Sequence, residues 1–124
     1  MTQEQKDLLI KDLCARLPYG VKFNFKYGEY SSEIMRAIYL QDYVIISSKE
    51  NSCEINDIKP YLFPISSMTE EQKEEHKDLL DNQYSFDANG NVFTLHDFYC
   101  KYHIDYRGLI PMGLAINATG LNIY

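Results

Sequence analysis

The stretch LPYGVKFNFKY, from Leu17 to Tyr27, decides the fold, because the spacing of apolar residues changes within it. Pro18 and Gly20 end the helical pattern that precedes it. Apolar side chains then fall on every second position: Val21, Phe23, Phe25 and Tyr27. A period of two predicts a strand with one buried face and one solvated face.

The residues before this stretch predict an amphipathic helix. Thr2 and Gln5 have capping-box spacing, in which each side chain satisfies a free backbone N–H of the other. The apolar residues that follow form one stripe at helical spacing: Leu9, Ile10, Leu13, Cys14 and Leu17. We expect this stripe to pack against the sheet.

The residues after Tyr27 predict further short strands. Gly28–Ser32 has the composition of a turn, and the β-rich runs that follow are Ile34–Leu40, Tyr43–Ile46 and Cys53–Ile55. Short connections favour antiparallel neighbours. Pro60 and Pro64 predict an extended connector over Lys59–Ser67, because proline lacks an N–H donor and has a fixed φ.

Two more helices and a docked tail complete the predicted fold. Thr69 caps an acidic helix over Thr69–Asp81, and Thr94 caps a third helix with the stripe Leu95, Phe98, Tyr99 and Tyr102. The apolar content of Ile104–Tyr124 suggests that it packs on the body. We therefore expect one α+β domain over residues 1–124, with a small antiparallel sheet of three to four strands packed with about three helices.

Composition restricts the class of protein. The 124 residues are 45% hydrophobic and carry a formal net charge of −6, which indicates a globular protein and argues against direct nucleic-acid binding. No apolar run reaches the roughly 18 residues of a membrane span, so we expect no membrane association. The polar amino terminus and three widely spaced cysteines favour a cytoplasmic location.

The charge is concentrated in one segment. Residues 69–87 contain seven acids and two bases and so carry −5, while the rest of the chain carries −1. Only Met68, Leu79 and Leu80 would face inward, which places the acidic helix at the periphery. It is either a solvated cover or a binding surface whose acids, Glu71, Glu74, Glu75 and Asp78, mimic a row of phosphates toward a basic partner.

A second candidate site is Asp105-Tyr106-Arg107. Arginine clamps phosphates and carboxylates bidentately, so this cluster would bind an anionic ligand. Alternatively, Arg107 pairs with Asp105 or ties the tail's carbonyls to the body.

A third, weaker candidate is the set His96, Cys100 and His103, spaced i, i+4, i+7 on the third helix. These types ligate zinc or hold a thiolate near imidazoles, but they also occur as ordinary residues flanking a buried stripe. The order Asp87, Asn89, Asn91 resembles a calcium loop without its Gly and Glu, and predicts a plain turn. No P-loop, GxGxxG, GxSxG or HExxH motif occurs, so we expect no metal or cofactor and favour a non-enzymatic role.

Three segments carry a resemblance that spans nearly the whole chain. They are LCARLPYGVK (Leu13 to Lys22), KPYLFPISSMT (Lys59 to Thr69) with the EEQKEE that follows, and IDYRGLIPMGLA (Ile104 to Ala115). In this order they resemble a group of small uncharacterised proteins encoded by phages and mobile elements of gut bacteria. The resemblance implies a cytoplasmic accessory protein and transfers no functional residue, and residues 116–124 depart from the more acidic, proline-containing ending of that group.

Two functions of different classes follow. The first is a non-enzymatic protein that binds a host or phage macromolecule through the acidic helix, with eleven tyrosines available for an aromatic interaction surface. The second is a small-molecule binding protein, a sponge for a nucleotide signal that uses Arg107, Tyr106 and Arg36. An enzyme built on the His96, Cys100 and His103 face is a third hypothesis.

Overall fold

A computed structural model describes residues 2–25, 28–31, 43–46 and 51–124 of the chain. Within these ranges, the α-helices are α1 (Gln3–Arg16), α2 (Glu70–Asn82) and α3 (Leu95–Lys101). The capping box predicted for Thr2 and Gln5 is present, and the predicted cap Thr69 also forms a capping box, with Gln72. The predicted α+β class with about three helices is confirmed.

The described ranges also contain nine short strands. In chain order they are β1 (Lys22–Phe25), β2 (Gly28–Ser31), β3 (Tyr43–Ile46), β4 (Asn51–Glu54), β5 (Ile58–Pro64), β6 (Tyr84–Phe86), β7 (Val92–Thr94), β8 (Ile104–Asp105) and β9 (Ile116–Asn117). The largest sheet has the order β2-β1-β5-β8, and β9 also pairs with β5. The β3–β4 and β6–β7 pairs form separate two-stranded sheets.

The sheet is mixed rather than antiparallel throughout. β1 pairs antiparallel with β2 and β5, as the short connections predicted, but β8 and β9 pair parallel with β5. The parallel partners come from the tail, which returns after α2 and α3. A long crossover is what parallel pairing requires, so this part of the topology depends on distant segments.

Two predictions about the strands were wrong. The turn predicted at Gly28–Ser32 is wrong for residues 28–31, which form β2 with Gly28 opposite Phe25, and Ser32 lies outside the described residues. Lys59–Ser67 is not a connector, because Ile58–Pro64 is the central strand and only Ile65–Ser67 leaves it, as a 3₁₀ turn. β5 tolerates proline because each neighbour pairs with it over only two or three residues, so a missing donor interrupts no long ladder.

The remaining strand predictions fared differently. Tyr43–Ile46 is a strand as predicted, and the strand predicted at Cys53–Ile55 lies at Asn51–Glu54. The first strand is Lys22–Phe25, and the predicted strand residue Tyr27 lies outside the described residues. The run Ile34–Leu40, like Arg36 within it, lies outside the described residues.

Two hydrophobic clusters hold these elements together. The first joins the α1 stripe (Leu9, Ile10 and Leu13) to the first strand and to the tail residues Leu109 and Leu114, so the tail packs on the body as predicted. The second is smaller and has Leu79, Phe98 and Ile104 at its centre. α2, α3 and the β6–β7 hairpin attach to the body through this second cluster, so their outer faces lie away from the main core.

Candidate functional site

The acidic helix α2 begins at a reciprocal cap. The Gln72 N–H donates to Thr69 Oγ1 at 3.2 Å, and the Thr69 N–H donates to Gln72 Oε1 at 3.0 Å. Glu70 and Glu71 occupy the first turn, where the positive end of the helix dipole favours carboxylates. Local sequence alone therefore fixes where the acidic face starts.

Three of the four predicted acids of α2 point into solvent. Glu71, Glu74 and Asp78 are exposed, and none of the described residues forms an ion pair with them. Lys73 instead pairs with Glu70 at 3.2 Å. The face consequently keeps its negative charge.

Glu75 differs from the other three because it turns toward the body. It is half-buried, and its Oε2 accepts a hydrogen bond from the Tyr102 hydroxyl at 2.8 Å. Burial and this bond raise the pKa of Tyr102 to about 12, so the hydroxyl stays a donor. Glu75 thus attaches α2 to the end of α3.

α2 is held on its inner side by few contacts. Leu79 is buried in the second cluster, and His76 Nε2 lies 2.8 Å from the Tyr99 hydroxyl. Leu80 was predicted to face inward, but 56% of its surface is exposed. It lies about 100° around the helix from Leu79, so one leucine can be buried here without the other.

The predicted Asp105-Tyr106-Arg107 cluster is built into a buried polar network. Asp12 is fully buried, and its two oxygens lie 2.8 Å from Arg16 Nε and 3.1 Å from Arg107 Nε. Arg16 is fully buried as well and donates to the Ile104 carbonyl at 2.6 Å. Arg107 therefore ties the tail to α1 through Asp12, and Asp105 is not its partner.

Asp105 and Tyr106 also hold the tail in place. The Asp105 carboxylate is buried and accepts the N–H groups of Leu109 and Ile110 at 2.8 and 2.9 Å. The Tyr106 ring stacks on Tyr99 with centroids 4.8 Å apart, and the Arg107 guanidinium lies 4.7 Å from its centroid. The partner of Arg107 is thus the Asp12 carboxylate, and neither Asp105 nor a tail carbonyl as the structural alternative expected. The anionic-ligand site stays a prediction.

His96, Cys100 and His103 are not gathered on one helical face. α3 ends at Lys101, and His103 has a φ of 58° beyond it, with its ring stacked 3.7 Å from that of Tyr124. Burial raises the pKa of the Cys100 thiol, the opposite of what a thiolate site needs. Among the described residues no group of three or more His, Cys, Asp or Glu side chains could hold a metal ion.

Two surface cavities lie elsewhere. One of about 620 Å³ is lined by Lys22, Tyr61, Ile116, Leu121, Asn122 and Ile123. The other, of about 230 Å³, lies between β5 and the start of α2 and includes Phe63, Thr69 and Tyr102. Neither is lined by Arg107 or Tyr106, nor by a pair of residues suited to acid–base chemistry.

The β6–β7 hairpin is a feature that the sequence reasoning missed. Asp87–Asn91 is the predicted turn: Asp87 Oδ1 accepts the N–H groups of Asn89 and Asn91, both at 2.9 Å. Tyr84, Phe86 and Val92, which flank it, are all more than half exposed. The available signal was the Asn89-Gly90 pair between two short runs that contain apolar residues, Tyr84–Phe86 and Val92–Thr94.

Membrane spans and similarity to known proteins were the last features compared. Of the helices in the described ranges, none is long and apolar enough to cross a lipid bilayer. Comparison with models of protein families, with curated proteins and with solved structures found no match.

Proposed function

We propose that this chain is a non-enzymatic binding protein whose α2 helix engages a basic surface on a partner protein. The observation that carries the proposal is the outward face of Glu71, Glu74 and Asp78, which is exposed and unneutralised by the described residues. Unpaired surface acids steer association with positive surfaces and select against negative ones. The resemblance to phage and mobile-element proteins supports a host or phage macromolecule as the partner, met in the cytoplasm of the host cell.

The spacing of the three acids suits an extended basic site. Along the axis, Glu74 lies about 4.5 Å beyond Glu71, and Asp78 about 6 Å beyond Glu74. A protein surface that binds phosphates would accept such a row, so α2 would compete with a nucleic acid for it. The Glu75 carboxylate accepts the hydrogen bond from Tyr102 and so plays no direct part in binding the partner.

Charge reversal tests the proposal. The variant Glu71→Lys/Glu74→Lys/Asp78→Lys is compared with a matched control, Glu4→Lys/Asp7→Lys/Asp57→Lys, whose sites are also exposed. Both variants bring the formal net charge from −6 to zero, so only the position of the charge differs. Affinity purification of the wild-type protein from cells that carry the mobile element identifies the partner. The two variants are then purified from the same cells, and the amounts of partner that they retain are compared.

We expect the α2 variant to lose the partner while the control retains it, and we expect duplex DNA to displace the wild-type protein from that partner. Melting temperatures of both variants check that each one folds. Retention of the partner by the α2 variant, or equal loss from both variants, would exclude α2 as the binding surface.

A further inference from the structure

The exposed face of the β6–β7 hairpin is apolar although it lies beside the acidic helix. We propose that Tyr84, Phe86 and Val92 form the apolar centre of a docking surface for a protein whose apolar pocket is flanked by Lys and Arg. This inference rests on the proposed function and specifies its partner further. We call these three residues the hairpin face.

The register of the hairpin puts the three side chains on one side. Phe86 lies directly opposite Val92, and Tyr84 is two residues before Phe86 on the same strand. The rings of Tyr84 and Phe86 are 5.8 Å apart in an edge-to-face arrangement. The exposed fractions are 51% for Tyr84, 64% for Phe86 and 58% for Val92. A contiguous apolar surface is therefore available to a partner.

The opposite side of the hairpin is anchored. Phe93 packs against the second cluster, and the Lys101 ammonium lies 5.6 Å from its ring centroid. At the tip, Gly90 has a φ of 82° and its N–H donates to the Asp87 carbonyl at 3.0 Å. Because the hairpin is held at both its base and its tip, ordering it on binding costs little entropy.

The charges around the hairpin face indicate what its partner must offer. No Lys or Arg occurs between Lys77 and Lys101, whereas Asp78 and Asp81 lie toward the end of α2, Asp87 lies in the hairpin turn, and all three are exposed. A partner with basic residues around an apolar pocket complements this rim. A second copy of the chain fits poorly, because two-fold symmetry would bring the same acidic segment against itself.

The hairpin face alone is too small for a stable interface, so we include α2 in the same interface. A stable protein interface buries roughly 800 Å² on each partner, which is more than three side chains supply. α2 ends at Asn82 and β6 begins at Tyr84, so the two surfaces are consecutive in the chain. Aromatic side chains at the centre and charges at the rim are the usual distribution of binding energy.

The test uses a displayed library of random peptides selected on the immobilised wild-type protein. Enriched peptides are synthesised and titrated against the wild type, Phe86→Ser, the α2 charge-reversal variant and the control Met112→Ser. Met112 is exposed (46%) on the tail, away from the hairpin in sequence, so its variant reports on the loss of any exposed apolar side chain. Melting temperatures confirm that each variant is folded.

We expect the enriched peptides to combine Lys or Arg with aromatic or aliphatic residues, and their affinity to fall about tenfold or more in Phe86→Ser but not in Met112→Ser. Peptides weakened by α2 reversal but not by Phe86→Ser overturn the hairpin face and leave the proposed function standing. If the affinity of the peptides depends on Phe86 but is unchanged by charge reversal in α2, a basic partner is excluded both for the proposed function and for the hairpin face. Failure to enrich any peptide, or a dimer in sedimentation that Phe86→Ser dissociates, also overturns the proposal.

Discussion

Removal of the Asp12 carboxylate tests the buried network that fixes the tail. In the substitution Asp12→Ala, Arg16 keeps its backbone acceptor at Ile104 but loses its counter-charge, while its side chain remains fully buried. An uncompensated buried charge costs about 3–5 kcal/mol. A protein of this size has a free energy of unfolding of roughly 5–15 kcal/mol, so we expect a large loss of stability.

The burial of each residue in the Asp12 network determines how strongly its substitution destabilises the protein. Arg107 is 14% exposed and shares Asp12 with Arg16, so in Arg107→Met the carboxylate keeps one buried partner. We expect a cost of about 1–2 kcal/mol, well below that of Asp12→Ala. In the double variant Asp12→Ala/Arg16→Met both charges leave together, so its cost falls short of the sum of the single variants by at least about 1 kcal/mol.

Urea denaturation at neutral pH of the wild type and of four variants measures these differences: Asp12→Ala, Arg16→Met, Arg107→Met and Asp12→Ala/Arg16→Met. If the free energy of unfolding falls with urea concentration at the same slope in every protein, the substitutions change stability and not the compactness of the unfolded state. The reasoning is refuted if Asp12→Ala costs less than about 1 kcal/mol, as an exposed pair would, or if the single costs simply add. It is also refuted if Arg107→Met is the most damaging change.

Two further predictions concern backbone and pH. Burial, with Arg16 and Lys22 nearby, lowers the pKa of His103 to about 4. As the pH falls, the imidazole is therefore protonated in the unfolded chain before it is protonated in the folded protein. Stability should therefore fall as the pH drops from about 6.5 to 4, by at most about 1.4 kcal/mol per pH unit, and urea titrations of His103→Asn should show a shallower fall over that window. In the hairpin, the Cβ added by Gly90→Ala meets no atom within 4 Å, but the residue keeps a φ of 82°. We therefore expect the free energy of unfolding to fall by about 1 kcal/mol, which lowers the melting temperature. An unchanged melting temperature would mean that the turn is not held in this conformation.

Local signals explain what the sequence predicted correctly. The caps at Thr2, Thr69 and Thr94 involve residues three apart, and all three helices begin where these pairs place them. The alternation in Val21–Phe25 depends only on neighbours, and it correctly placed Val21 and Phe23 in the core. Short-range chemistry is readable without knowing the fold.

What the sequence did not predict depends on long-range contacts. β5 contains two prolines, and its central position follows only from the return of residues 104 and 116 beside it. The Asp12–Arg16 spacing is visible on α1, but its burial requires Ile104 and Arg107 to fold over it from 88 and 95 residues away. The hairpin strands are three residues each, too short for a convincing alternation.

The two interpretations of the acidic helix differ in what they expect next to it. A solvated cover shields apolar side chains beneath it and presents polar ones to water. α2 buries Leu79 but leaves Leu80 exposed, and the hairpin that follows presents Phe86 with 64% of its surface exposed. Solubility accounts for the acids but not for aromatic residues placed beside them, since exposed apolar patches promote association. Exposed acids followed in the chain by an exposed apolar surface suit recognition of a protein with the opposite pattern, and this combination favours binding over a cover.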